Sequence, residues 1–228
     1  MRFLGLLMLW PGFVLAQGWV EYANVEEGFF ANFPGEPKVE ETTWESEYEA
    51  TFPARVYSVD TDRGRYSKTV IDNRDAERIH TERVRDRDCP PGAETCSGGT
   101  AVTANTGIGY WRVDVQASMV YGAWQFLQRD AEVTHFMWNN IDFVEGLQLY
   151  LTNPDHSRTF ASLYLHADRL YILEATTPEG VRGAGLFQQS LVFLDEEGNR
   201  IDYDRIHHNS APPPPRLRDA ESYEYLEC

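Results

Sequence analysis

The chain has 228 residues, a formal net charge of −16, 42% hydrophobic residues and 13% aromatic residues. That apolar content excludes a disordered chain, because it can offset the entropy of ordering, and the length fits one elaborated domain. The acidic field repels phosphate backbones and anionic lipid surfaces, which excludes nucleic acid as a partner class.

Met1–Ala16 carries one early positive charge at Arg2, an apolar run from Phe3, and a small-residue ending Val14-Leu15-Ala16. This pattern predicts a cleaved signal peptide over 1–16. The run from Phe3 to Ala16 is 14 residues, short of the roughly 20 that a spanning helix needs, so no membrane span is expected. No cysteine follows Ala16 to take a lipid anchor. The mature chain is therefore expected to be exported and soluble, in the periplasm or outside the cell, with a single domain over 17–209.

Gly28-Phe-Phe-Ala-Asn-Phe-Pro34 reads as a strand stopped by Pro34-Gly35-Glu36-Pro37, and Lys38–Ser46 as a second, more polar strand. Thr51–Val59 and Arg65–Asp72 form a predicted hairpin around Asp60-Thr-Asp-Arg-Gly64. Asp60-x-Asp62 lacks the later acidic and glycine positions of a calcium loop. A short surface helix is predicted over Asp75–Arg87, capped by Asp75. The stretch Asp88–Gly109 loses periodicity and contains Cys89 and Cys96, which export would oxidise to a disulfide. A loop that small would stabilise the fold by about 2 kcal/mol, as a staple of a local excursion. The spacing of the two cysteines is neither Cys-x-x-Cys nor a zinc pattern.

Val113, Ala117, Val120, Trp124 and Leu127 recur at steps of four and three, predicting a helix over Arg112–Arg129 that lays this stripe, Trp124 included, on a sheet. Glu132–Asn139, Phe143–Thr152, Thr159–His166 and Arg169–Thr177 follow as four strands of an antiparallel meander. A closing helix is predicted over Gly183–Leu194. The Pro-rich, acidic segment Ser210–Cys228 reads as an extended tail, in which the unpaired Cys228 could link two copies as a dimer. The fold class is α+β, an antiparallel sheet of about six to eight strands flanked by helices.

Gly28-Phe-Phe-Ala-Asn-Phe-Pro-Gly-Glu-Pro37 resembles the Gly-Phe-x-x-x-Phe-Pro-Gly-x-Pro opening of exported bacterial domains of unassigned role, relatives of the PsbP/DcrB-like fold. Arg158-Thr-Phe160, Arg169-Leu-Tyr-Ile-Leu173 and Leu186-Phe-Gln-Gln-Ser-Leu191 are similar to the closing hairpin and terminal helix of that group. The resemblance spans about Gly28–Leu194 and implies an α/β/α sandwich with an accessory role in the envelope or in a complex. It supplies no catalytic residues. Segments 88–109 and 210–228 depart from it, and chain-specific function would reside there.

No Gly-x-Ser-x-Gly elbow, His-Glu-x-x-His, P-loop or Cys-x-x-Cys occurs, and Gly107-Ile-Gly109 lacks the third glycine of a dinucleotide turn. The histidines His80, His135, His156, His166, His207 and His208 are scattered. His135 stands out because it lies between Val133 and Met137 on an expected strand face, where burial would require a partner. Pairs such as Glu40-Glu41, Asp86/Asp88 and Glu196-Glu197 are common in so acidic a chain, and Ser118 has no recognisable base beside it in sequence. The sequence thus points to a non-catalytic binding or accessory module without cofactor or metal, whose partner is a protein or small ligand. Two other readings stay open: a periplasmic hydrolase with a site assembled by the fold, and a cation- or metal-binding envelope protein.

Overall fold

The structure is a computed structural model that describes residues 18–85 and 110–207. The predicted signal peptide, the Cys89–Cys96 staple and the tail with Cys228 lie outside the described residues.

Seven antiparallel strands form the main sheet, in the order β3-β4-β5-β9-β8-β7-β6. They are β3 (Lys38–Glu45), β4 (Thr51–Thr61), β5 (Gly64–Asp72), β6 (Glu132–Ile141), β7 (Val144–Thr152), β8 (Arg158–His166) and β9 (Arg169–Thr177). The predicted hairpin is β4–β5, pairing Thr61 with Gly64. Gly64 has φ 134°, and a Cβ there would lie 2.2 Å from the Thr176 carbonyl oxygen, so only glycine fits this turn against β9. The meander β6-β7-β8-β9 follows, as the alternation and turn residues predict.

One face of this sheet is covered by α1 (Ala76–Arg85) and α2 (Tyr110–Leu127). The other is covered by a second, three-stranded sheet, β1-β2-β10, with β1 (Val20–Asn24), β2 (Phe29–Phe33) and β10 (Val192–Phe193). The fold is α+β, but the second covering layer is a sheet where the resemblance implies helices. The strand read at Gly28–Pro34 is β2. Its period of two buries Phe29, Ala31 and Phe33 completely against Tyr57, Phe187 and Phe193. The helix expected over Gly183–Leu194 shrinks to α3 (Gly185–Gln188), because the chain turns at Gln189 to add β10 to β2.

The largest departure from expectation concerns α2. Its sheet-facing residues are Asp114, Val115, Ser118, Met119, Gly122, Ala123 and Phe126, whereas Val113, Val120 and Trp124 are 43%, 54% and 48% exposed. A Cβ at Gly122 would come within 2.9 Å of Leu163 Cδ2. The helix packs so closely that small residues mark its buried face, and the large stripe turns outward.

Candidate functional site: an open sheet edge and an aromatic groove

Among the described residues, strand β6 closes one edge of the main sheet and pairs on one side only, with β7. From Val133 to Ile141 it holds no charged residue. A bulge between Val133 and His135 shifts the register, so that Val133 faces the helix layer with Phe136 and Trp138, while His135 turns to the other face with Met137. This corrects the expectation that Val133 and His135 share a face. Trp138 is 61% exposed, Met137 54%, Phe136 48% and Val133 43%. Phe143, in the turn after β6, is exposed as well. His135 stacks on Tyr150 with ring centroids 4.5 Å apart, and its buried Nε2 has no hydrogen-bond partner. No serine or carboxylate is brought to it among the described contacts, so it is a packing residue of the edge.

The turn after β6 is strapped by residues 200–207. Arg200 Nη2 reaches Asp142 at 2.7 Å, and the His207 amide donates to the Phe143 carbonyl at 2.8 Å. His207 stacks on Tyr203, whose hydroxyl lies 2.8 Å from His166 Nε2. Burial, then His207 and Arg169, push the His166 pKa down to about 4.

At the opposite edge, the β3–β4 turn meets α2. Ser46 Oγ donates to Asp114 Oδ2 at 2.7 Å and accepts the Ala50 amide at 3.1 Å. His80 Nε2 lies 2.7 Å from the same carboxylate oxygen. These are the residue types of a nucleophilic triad, but the carboxylate sits between serine and imidazole. The hydroxyl is thus aimed at Asp114 and away from any base, and all three side chains are buried. The arrangement bolts the turn to both helices. The hydroxyl of Ser118 is likewise committed, donating to the Val115 carbonyl at 2.7 Å.

Above this bolt, Glu47, Val120, Tyr121 and Trp124 line a shallow groove of about 320 Å³. Trp124 stacks on Tyr121 with centroids 5.5 Å apart and planes at 15°, and Trp44 meets Tyr121 edge-on at 5.6 Å. Trp44 is itself tied to α2 through Nε1 to Gln125 Oε1 at 3.3 Å.

A third cluster lies between the two sheets. Lys68 is fully buried with no hydrogen-bond partner for Nζ, which stands 3.1 Å from the Phe29 ring centroid and 5.1 Å from that of Tyr171. Burial holds its pKa well below the ordinary lysine value. Nearby, Glu27 accepts from Tyr57 at 2.6 Å and from Arg55 at 2.9 Å. Burial raises the Glu27 pKa against the opposing pull of those two groups. This cluster was not foreseen, since the fold joins Glu27 and Phe29 to Arg55, Tyr57, Lys68 and Tyr171 from distant parts of the chain and they match no motif.

No helix of the described residues is long and apolar enough to cross a membrane, and no group of three or more metal-ligating side chains occurs among them. The architecture defines an antiparallel α+β protein with two unlike sheet edges. No protein-family model and no curated protein matches the chain. Among solved structures it is similar to cyanobacterial PsbP (CyanoP) from Synechocystis sp. PCC 6803, at 15% identity and a TM-score of 0.36, over 74% of this chain and 85% of that one. The likeness is one of fold and carries no functional residue across.

Proposed function

We propose that this chain is an exported, non-catalytic accessory module that recruits a protein partner along β6. The observation that carries this reading is the row of uncharged, half-exposed apolar side chains on a strand whose outer backbone groups have no sheet partner among the described residues. Such an edge is a template for an added strand, and natural sheets ordinarily protect it with charge. An extended segment of the partner would take backbone hydrogen bonds from β6 and pack apolar side chains beside Phe136 and Trp138. A second copy of this chain is a poorer occupant. In the antiparallel register that sets Phe136 against Trp138 of the copy, Glu132 falls opposite Asp142, placing like charges face to face at both ends.

The test is a photo-crosslinking amino acid at Met137 or, as the control, at Thr42 on β3, expressed in the native host with its leader. The reading expects one discrete heteromeric adduct from position 137, none from 42, and loss of that adduct in Trp138→Lys. Mass spectrometry of the adduct should find Gln17 as the first residue. Equal adducts from both positions, or an adduct indifferent to Trp138→Lys, would overturn it.

A further inference from the structure

We propose that the groove formed by Glu47, Tyr121 and Trp124 is a binding site for a small quaternary ammonium compound. It lies at the β3 end of the sheet, the edge opposite β6, and is independent of the docking surface proposed above. Three features point to this ligand class.

The first is the aromatic wall. Trp124 stacks on Tyr121, is 48% exposed and lines the groove beside it. An indole face carries the negative lobe of its quadrupole and attracts cations, most strongly where water is partly excluded.

The second is charge. Glu47 is exposed and has no ion-pair partner among the described residues. The neighbouring cation, Arg83, is committed elsewhere, to the Glu49 carboxylate at 3.5 Å and to the Tyr48 carbonyl. The net charge of −16 further raises the local concentration of any small cation.

The third separates quaternary ammonium from other cations. An alkylammonium or guanidinium group brings several N–H donors, and the side chains of the lining offer few acceptors, the Glu47 carboxylate and the Tyr121 hydroxyl. In a shallow groove those donors keep their water and hold the charge off the rings, whereas a quaternary ammonium has none to satisfy and lays its alkyl groups directly on them. A volume of about 320 Å³ suits a small molecule and not a folded partner.

The site is also preorganised. Ser46, bolted to Asp114 and His80, precedes Glu47 directly, and Trp44 fixes the strand end against Tyr121 and Gln125. The backbone that carries Glu47 is thereby fixed against α2 before ligand arrives, which lowers the ordering cost of binding.

The experiment follows the methyl singlet of tetramethylammonium by saturation-transfer NMR on the full chain, with tert-butanol as the neutral probe of similar shape. Tetramethylammonium should saturate the protein in the millimolar range while tert-butanol does not. Glu47→Gln should weaken binding by about tenfold, and Trp124→Leu should abolish it. Both side chains are exposed, so circular dichroism should show both variants folded. If Trp124→Leu does not fold, Glu47→Gln alone decides. Equal response to tert-butanol, unchanged affinity in Glu47→Gln, or no saturation by tetramethylammonium would each overturn the proposal.

Discussion

Strand β3 closes one edge of the main sheet with Lys38, Glu40, Glu41 and Glu45, and its Lys38–Glu40 and Arg55–Glu41 pairs spread charge over the outer row. Strand β6 closes the other with nine consecutive uncharged residues from Val133 to Ile141, four of them large apolar side chains at least 43% exposed. The anchoring differs too. The end of β3 is held by a buried, hydrogen-bonded carboxylate, whereas the end of β6 is held by a strap that leans on a neutral histidine. Charge at an exposed edge guards against unwanted strand pairing, and the edge without it is the one on which the proposed docking rests.

The most damaging way to break this comparison is to cut the bolt. Asp114→Ala should cost about 3 kcal/mol, because it strands His80 and Ser46 in a buried site without their partner. Urea unfolding measures the loss, and hydrogen exchange should accelerate in β3 and spare β6.

Acid should strike the other edge. His166 binds fewer protons folded, with a pKa of about 4, than unfolded near 6.5, so stability falls as pH drops through that window. The loss approaches about 3 kcal/mol at the lower limit. In His166→Asn, which cannot titrate, this loss between pH 6.5 and 4 should be absent from urea unfolding followed across the window.

Smaller effects on stability sharpen the contrast. Trp138→Lys gives β6 the device of β3, and it should remove the crosslinked adduct while shifting stability by less than about 0.5 kcal/mol. The reverse exchange, Glu40→Val with Glu41→Thr, strips the protected edge and should produce concentration-dependent self-association in sedimentation velocity. A strictly monomeric double variant would show that charge is not what protects β3.

The strands were legible because alternation and turn residues report directly on a sheet with one face in the core. Phe29, Ala31 and Phe33 spell that alternation in β2, and Asp60–Gly64 marks the hairpin. Helix α2 misled for a physical reason. Periodicity finds large apolar residues, but this helix lies so close to Leu163 that Ser118, Gly122 and Ala123 must face inward. Trp124, read as core, is the open wall of the groove. Its carboxylate, Glu47, comes from a distant turn, as do the Ser46 and His80 that meet Asp114, and no local pattern joins residues that only the fold assembles. The edge role of β6 was hidden in the same way, since strand order is a property of the whole sheet. The sequence showed the strand itself, but not that it would stand at the edge of the sheet.

Lys68, sealed between the sheets against Phe29, has a thermodynamic signature of its own. The extended chain carries this amine as an ammonium at any pH below its ordinary value, whereas the folded chain holds it neutral down to a much lower one. Between those limits each molecule that folds expels a proton into the buffer. The heat of folding therefore includes the ionisation heat of whatever buffer accepts that proton. Calorimetry in phosphate and in Tris should differ by an offset that Lys68→Met reduces.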